Sequence, residues 1–166
     1  MSKQILLDRF TKPLFELLDE TFEDVHGAYL DKGNSLFETL KPVTAEQASR
    51  AASNQVATIA AQVKHVRFYL CVLQDYILNK NVGRVDWGEI WRTTKQVTPE
   101  EWETIKRELR EIYQSVLATL KNLDDWEGEN SIEGALGIVV HTAYHLGEIR
   151  QALGVIKSSQ DSPVQD

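Results

Sequence analysis

Residues 54–78 read as one helix that is apolar on two sides, and this feature limits the fold more than any other. Val56, Ile59, Ala60, Val63, Leu70 and Ile77 recur at helical spacing as one stripe, and Ala61, Phe68, Tyr69, Val72 and Tyr76 form a second. Such a helix must be covered on two faces, which places it in the middle of a helical bundle. Three further segments carry helical periodicity. In the first, Leu6, Phe10, Leu14, Leu17 and Leu18 keep the spacing to about Val25, with a kink or restart expected at Pro13. The third has the clearest start: Thr98 as cap, Pro99 at the first helical position and Glu101 three residues after the cap. Trp102, Ile105, Leu109, Ile112, Val116 and Leu120 carry it to about Leu123. The fourth begins near Asn130, with Glu133 as its capping partner, and runs to about Lys157. Its packing stripe reads as Ile132, Ala135, Leu136, Val139, Ala143 and Leu153.

The connections constrain how these helices pair. Residues 26–53 hold two short capping signals, Ser35–Glu38 and Thr44–Gln47, and read as a structured crossing with helical turns. Residues 79–98 are far longer than the roughly 2–8 residues of a bundle hairpin. A link of that length can run back along a helix and set the second and third helices parallel. The expected fold is all-α, a four-helix bundle with a long crossover between helices two and three. It occupies one domain, residues 1–157, followed by a polar tail, residues 158–166, expected to fray.

Composition removes several function classes. The net charge is −7 and no basic run is visible, so nucleic acid and anionic membrane are poor partners. No window approaches the roughly 18 consecutive apolar residues of a membrane span, and the N-terminus lacks the apolar core of a secretion signal. Cys71 is the single cysteine, which excludes an internal disulfide and a multi-thiolate metal site. The chain reads as cytoplasmic, with Cys71 as a small core filler.

The chemistry concentrates in HTAYHLGEIRQAL, residues 141–153. His141 and His145 stand four apart and share a helical face, so both imidazoles can reach one divalent ion. Gly134, Gly137 and Ala152 share that face and leave room for a cavity or for close helix approach. His65, mid-helix in the second segment, falls at a matching depth if the helices are antiparallel. The competing reading of each histidine is a hydrogen-bonded packing residue, but three unpaired buried histidines would each carry a desolvation cost. Glu148 follows on the face of His141. Its open roles are a fourth ligand, a general base, an acceptor for a histidine N–H, or an exposed carboxylate paired with Arg150 or Lys157. His26 is expected over the last carbonyls of the first helix. Trp87 and Trp91, four apart on the crossover, either wall a pocket over the metal or pin the crossover to the bundle. KRELRE, residues 106–111, reads as a solvated face supported by pairs such as Glu103–Arg107.

His65 in KHVRFYL, together with the pair in HTAYHLGEIRQ, resembles the DinB-like family of damage-inducible, YfiT-type four-helix bundles. That family carries one histidine in the second helix and an H-x-x-x-H pair, often followed by x-G-Q, in the fourth. Gly147 is in place, and Glu148 stands where the family commonly has glutamine. The resemblance implies a mononuclear site of His65, His141 and His145 holding one divalent transition metal ion (zinc, nickel or iron) with open positions, and a homodimer. It also implies transfer of a low-molecular-weight thiol or hydrolysis of a small molecule. Three neutral histidines would leave such an ion its charge, and it could depress the pKa of a bound water or thiol. The leading expectation is a metal-dependent thiol-transferase-like or hydrolase-like enzyme, with Glu148 as the candidate catalytic carboxylate. The alternatives are a non-enzymatic metal- or ligand-binding bundle with a stress-related role, and a dimeric scaffold with structural histidines.

Overall fold

The computed structural model describes residues 5–53, 56–123 and 126–161. Every regular element among them is helical: α1 (Asp8–Phe22), α2 (Leu36–Leu40), α3 (Ala45–Ser49), α4 (Ile59–Ile77), α5 (Glu89–Thr93), α6 (Pro99–Lys121) and α7 (Ser131–Asp161). They fall into two compact units, Met1–Pro42 and Val43–Asp166.

In the first unit, α1 runs through Pro13 without restarting. Pro13 is exposed, so the hydrogen bond it cannot make is lost on the solvent side of the helix. Leu14, Leu18 and Phe22, all buried, continue the apolar row past it. The helix stops at Phe22, short of Val25, and Leu6 precedes it and is exposed. The chain that follows is gathered by one carboxylate. Glu20, fully buried, accepts the backbone N–H groups of His26, Ala28, Tyr29 and Leu30 at 2.7–3.1 Å. Burial pushes its pKa up, but the four amides outweigh that and hold it at about 2. His26 corrects an expectation: its ring turns to the Asp19 carboxylate instead of the helix-end carbonyls, and that hydrogen bond raises its pKa. The anticipated box at α2 is complete, with Ser35 and Glu38 bonded reciprocally.

The second unit opens with the other short box, Thr44 and Gln47 around α3. The start of α4 differs from the expected one near residue 54. Asn54 lies outside the described residues, and Val56 precedes the helix and is exposed. Thr58 is the cap, its hydroxyl accepting from Ala61 N at 3.2 Å. The two-sided character of α4 is matched by packing on two sides, against α6 and α7. Along α6 the partners rise together: Arg67 meets Glu108 at 3.4 Å, and Gln74 donates to Ser115 and Thr119 at 2.8 and 2.7 Å. Those two helices are therefore parallel, as the long crossover requires, and the crossover carries α5. Along α7 the partners run in opposite directions, from Gln62 with His145 to Ile77 beside Gly134, so that pair is antiparallel.

The cap of α6 forms as read, with Thr98 and Glu101 bonded reciprocally and Pro99 in the first turn. Trp102 is buried and donates its indole N–H to Val43 O at 2.7 Å, tying α6 to the chain before α3. On the charged face, Glu103 pairs with Lys106 at 2.7 Å, while Arg107 turns to Glu111 at 3.2 Å. Cys71 is half-buried, and burial raises its thiol pKa.

Two expectations for the last helix are corrected. It continues past Lys157 to Asp161, with the Ser158 and Ser159 hydroxyls folded back onto Gly154 O and Val155 O at 2.9 Å. Residues 162–166 of the expected tail lie outside the described part. Its packing stripe is also different. Ala135, Val139 and Leu153 are buried, but Ile132 and Leu136 are exposed, together with Val140, Tyr144 and Val155. The face turned to α4 is the one bearing the histidines. There Gly134 and Gly137 let the helices close: a Cβ would stand 2.7 Å from Ile77 Cγ1 at the first and 3.1 Å from Leu73 Cδ1 at the second. Among the described residues, no helix is long and apolar enough to cross a membrane.

Candidate metal centre

Antiparallel packing brings His65 of α4 level with His141 and His145 of α7. Potential ligand atoms of the three all lie within 4.8 Å of one another. His65 and His145 are buried, at 8% and 6% exposure, and His141 is half-buried. The ring Nε2 atoms of His65 and His141 are 3.1 Å apart. They cannot both carry hydrogen toward each other, so at least one presents a lone pair to the space between. Burial first, then the neighbouring histidines, lowers the pKa of His65 to about 4 and of His141 to about 3. Both rings are thus neutral at pH 7, the form that binds metal.

His145 is oriented from behind. Its Nδ1 is 2.9 Å from Glu148 Oε2 and 3.1 Å from Gln62 Oε1. Two acceptors on one ring nitrogen place the proton there and leave Nε2 with its lone pair free. The other Glu148 oxygen accepts from the Tyr144 hydroxyl at 2.7 Å. Glu148 therefore lies behind a histidine, paired neither with Arg150 nor with Lys157 in any bond among the described contacts, and outside the group of converging ligand atoms.

Aromatic rings close the space in front. Tyr69 stacks flat on His141, with centroids 3.4 Å apart and planes at 4°. From the crossover, Trp91 in α5 lies 4.4 Å from the His65 ring and Trp87 lies 6.5 Å from it. Trp87 also meets Phe68 and Tyr69, so the pair pins the crossover to α4 as well as flanking the histidines. Such a shell lowers the local dielectric and limits the entry of water.

The residues present fit a single divalent ion. Two nitrogens 3.1 Å apart are spaced as neighbouring ligands of one ion at about 2.0–2.1 Å can be. His65 Nδ1 and His141 Nδ1 are buried without a hydrogen-bond partner, so these rings are not explained as ordinary packing histidines satisfied on both sides.

The sequence profile of the DinB superfamily matches residues 29–149, which include all three histidines and Glu148. The chain belongs to the DinB superfamily. The DinB bundle and the three-histidine group together are compatible with a metal-binding protein. No curated protein and no solved structure matches the chain.

Sequence reasoning missed Gln62 and Tyr144. Gln62 had a signal: a lone amide one turn before His65 in a run of buried apolar residues. Tyr144 had none, because its role depends on where Glu148 points.

Proposed function

We propose that this DinB-superfamily protein is a divalent-metal-dependent enzyme acting on a small molecule, with His65, His141 and His145 as ligands of zinc, nickel or iron. The observation that carries the reading is the convergence of three imidazoles, His65 and His145 buried and His141 half-buried, with ring nitrogens of His65 and His141 left without a hydrogen-bond partner. When bound, an ion held only by neutral ligands acts as a Lewis acid and lowers the pKa of water or thiol, which supports hydrolase-like or thiol-transferase-like chemistry.

The chain's own residues have separable tasks in this reading. Glu148 and Gln62 hold the Nδ1 proton of His145 and so aim its Nε2 inward. That makes Glu148 a positioning residue, in place of a fourth ligand or a general base. Tyr144 holds Glu148 in turn, and Trp87, Trp91 and Tyr69 keep the reacting region dry. The non-enzymatic alternative, a metal-binding bundle with a stress-related role, would keep the same ligands and lack turnover.

In the same reading residues 1–157 make one domain, supported by a family match that crosses the boundary between the two units. A homodimer in the cytoplasm completes the proposal. Its support is the exposed row Ile132, Leu136, Val140 and Tyr144 on α7, an apolar face of the kind that marks an interaction surface. The test of function is a screen of metal-loaded protein for thiol conjugation and for ester or amide hydrolysis. Turnover that disappears in His141→Ala supports an enzyme, and stoichiometric metal with no turnover across the screen favours the binding role.

A further inference from the structure

Two cavities of the second unit share a wall. The first, about 330 Å³, lies against His145 and Trp91 and the groups that hold His145 from behind, Gln62, Tyr144 and Glu148. The second, about 520 Å³, runs along α7 between Gly147, Gln151, Ala152 and Val155 on one side and Ala52 and Ser53 on the other. Val56 and Glu148 line both, so the groove lies directly beside the cavity that reaches His145. Its volume is in the range of small-molecule sites.

The chemistry of that groove is one-sided. Its described lining contains no lysine, arginine or histidine, and its polar side chains are Ser53, Gln151 and Glu148. The Glu148 carboxylate is already engaged by His145 and Tyr144 and stands at the junction as the one charged group. A carboxylate or phosphate carried into the groove would meet that negative charge with no cation to balance it, at a desolvation cost nothing repays. Gly147 adds space: a Cβ built there would meet nothing within 4 Å.

We propose that the groove holds an uncharged, apolar chain or ring of the substrate, whose polar reacting end lies at the histidines. This rests on the three-histidine reading for the reacting end, but the groove itself is a property of the fold with or without an ion. The substrate class becomes a molecule with a polar head and a neutral hydrophobic tail, and a tail bearing an acid group is disfavoured.

The test uses straight-chain hydroxamic acids from two to eight carbons, and the same series ending in a carboxylate. Binding to the zinc-loaded full chain is followed by amide NMR shifts at Gly147, Gln151 and Val155. The expected result is affinity rising about fourfold per added methylene, with shifts at those three amides. A terminal carboxylate should cost at least about tenfold against the methyl-ended chain of equal length. Val155→Lys should flatten the length series and leave the two-carbon hydroxamate binding as before. Should zinc fail to bind, the metal reading falls, and a series of 1-alkanols on the metal-free protein reads the groove alone. A flat length series in either form overturns the proposal. So do shifts at Gly147 and Val155 that follow protein concentration and ignore chain length, which would assign the groove to a second copy of the chain.

Discussion

His145 has its Nδ1 within hydrogen-bond reach of both Gln62 and Glu148, and Glu148 is the more informative of the two. A carboxylate on the far nitrogen of a ligand histidine raises its basicity and fixes its ring, and loss of such partners typically costs about 10–100-fold in metal affinity. Glu148→Ala should therefore weaken metal binding by about tenfold or more, measured by chelator competition. Glu148→Gln keeps an acceptor oxygen within reach of Nδ1 and should fall less than about tenfold. Equal, severe losses in both variants would mean that the charge itself contacts the ion, and the positioning role would be wrong. Gln62 should reveal its part only in combination: Gln62→Ala alone leaves Glu148 on the same nitrogen, while the double variant leaves Nδ1 bare.

At the level of elements, the crossover is the part that turns a bundle into a site. The α5 segment sets the Trp91 ring 4.4 Å from His65. Titration with nickel should quench tryptophan emission, and Trp91→Phe should remove most of that quenching; undiminished quenching in the variant would place another tryptophan at the ion. Glu20 plays a comparable organising role for the loop after α1. Its folded pKa of about 2 lies below the ordinary 4.5, so the unfolded chain binds the proton more readily. Its stabilisation is fully present above about pH 4.5 and is lost as pH falls toward 2. Glu20→Gln removes the charge that accepts four amides and should cost about 2–3 kcal/mol at pH 7 by denaturant melts, with the difference from wild type shrinking below pH 4. A variant as stable as wild type at pH 7 would contradict this role. The caps of α2, α3 and α6 were legible because each is a local exchange of two hydrogen bonds between a cap and the residue three positions on. The first turn of α4 was not: Val56 fits the period of the helix, but Thr58 offers a cap and periodicity carries no stop signal.

Across the whole molecule, what sequence could reach depended on how one-sided each helix is. The parallel pairing of the second and third helices followed from a link length, whereas the level of His65 with His141 and His145 rested on an antiparallel pairing that the links alone did not supply. The buried face of α7 did not follow, because Ile132, Leu136 and Val140 look as fit for a core as Ala135 and Val139 do. Only the packing against Leu73 and Ile77 decides which row faces inward. The row left outside predicts self-association. Sedimentation at micromolar concentration should give a dimer, and Val140→Lys should shift it toward monomer with little change in helicity; a wild-type monomer at that concentration would rule the dimer out. The measurement that bears most directly on the metal-site proposal is elemental analysis of tag-free protein, wild type beside His141→Ala/His145→Ala. One divalent ion per chain in the wild type and essentially none in the folded double variant is the predicted result. Stoichiometric metal retained by the double variant, or none bound by the wild type after exposure to zinc, nickel and iron, would contradict it.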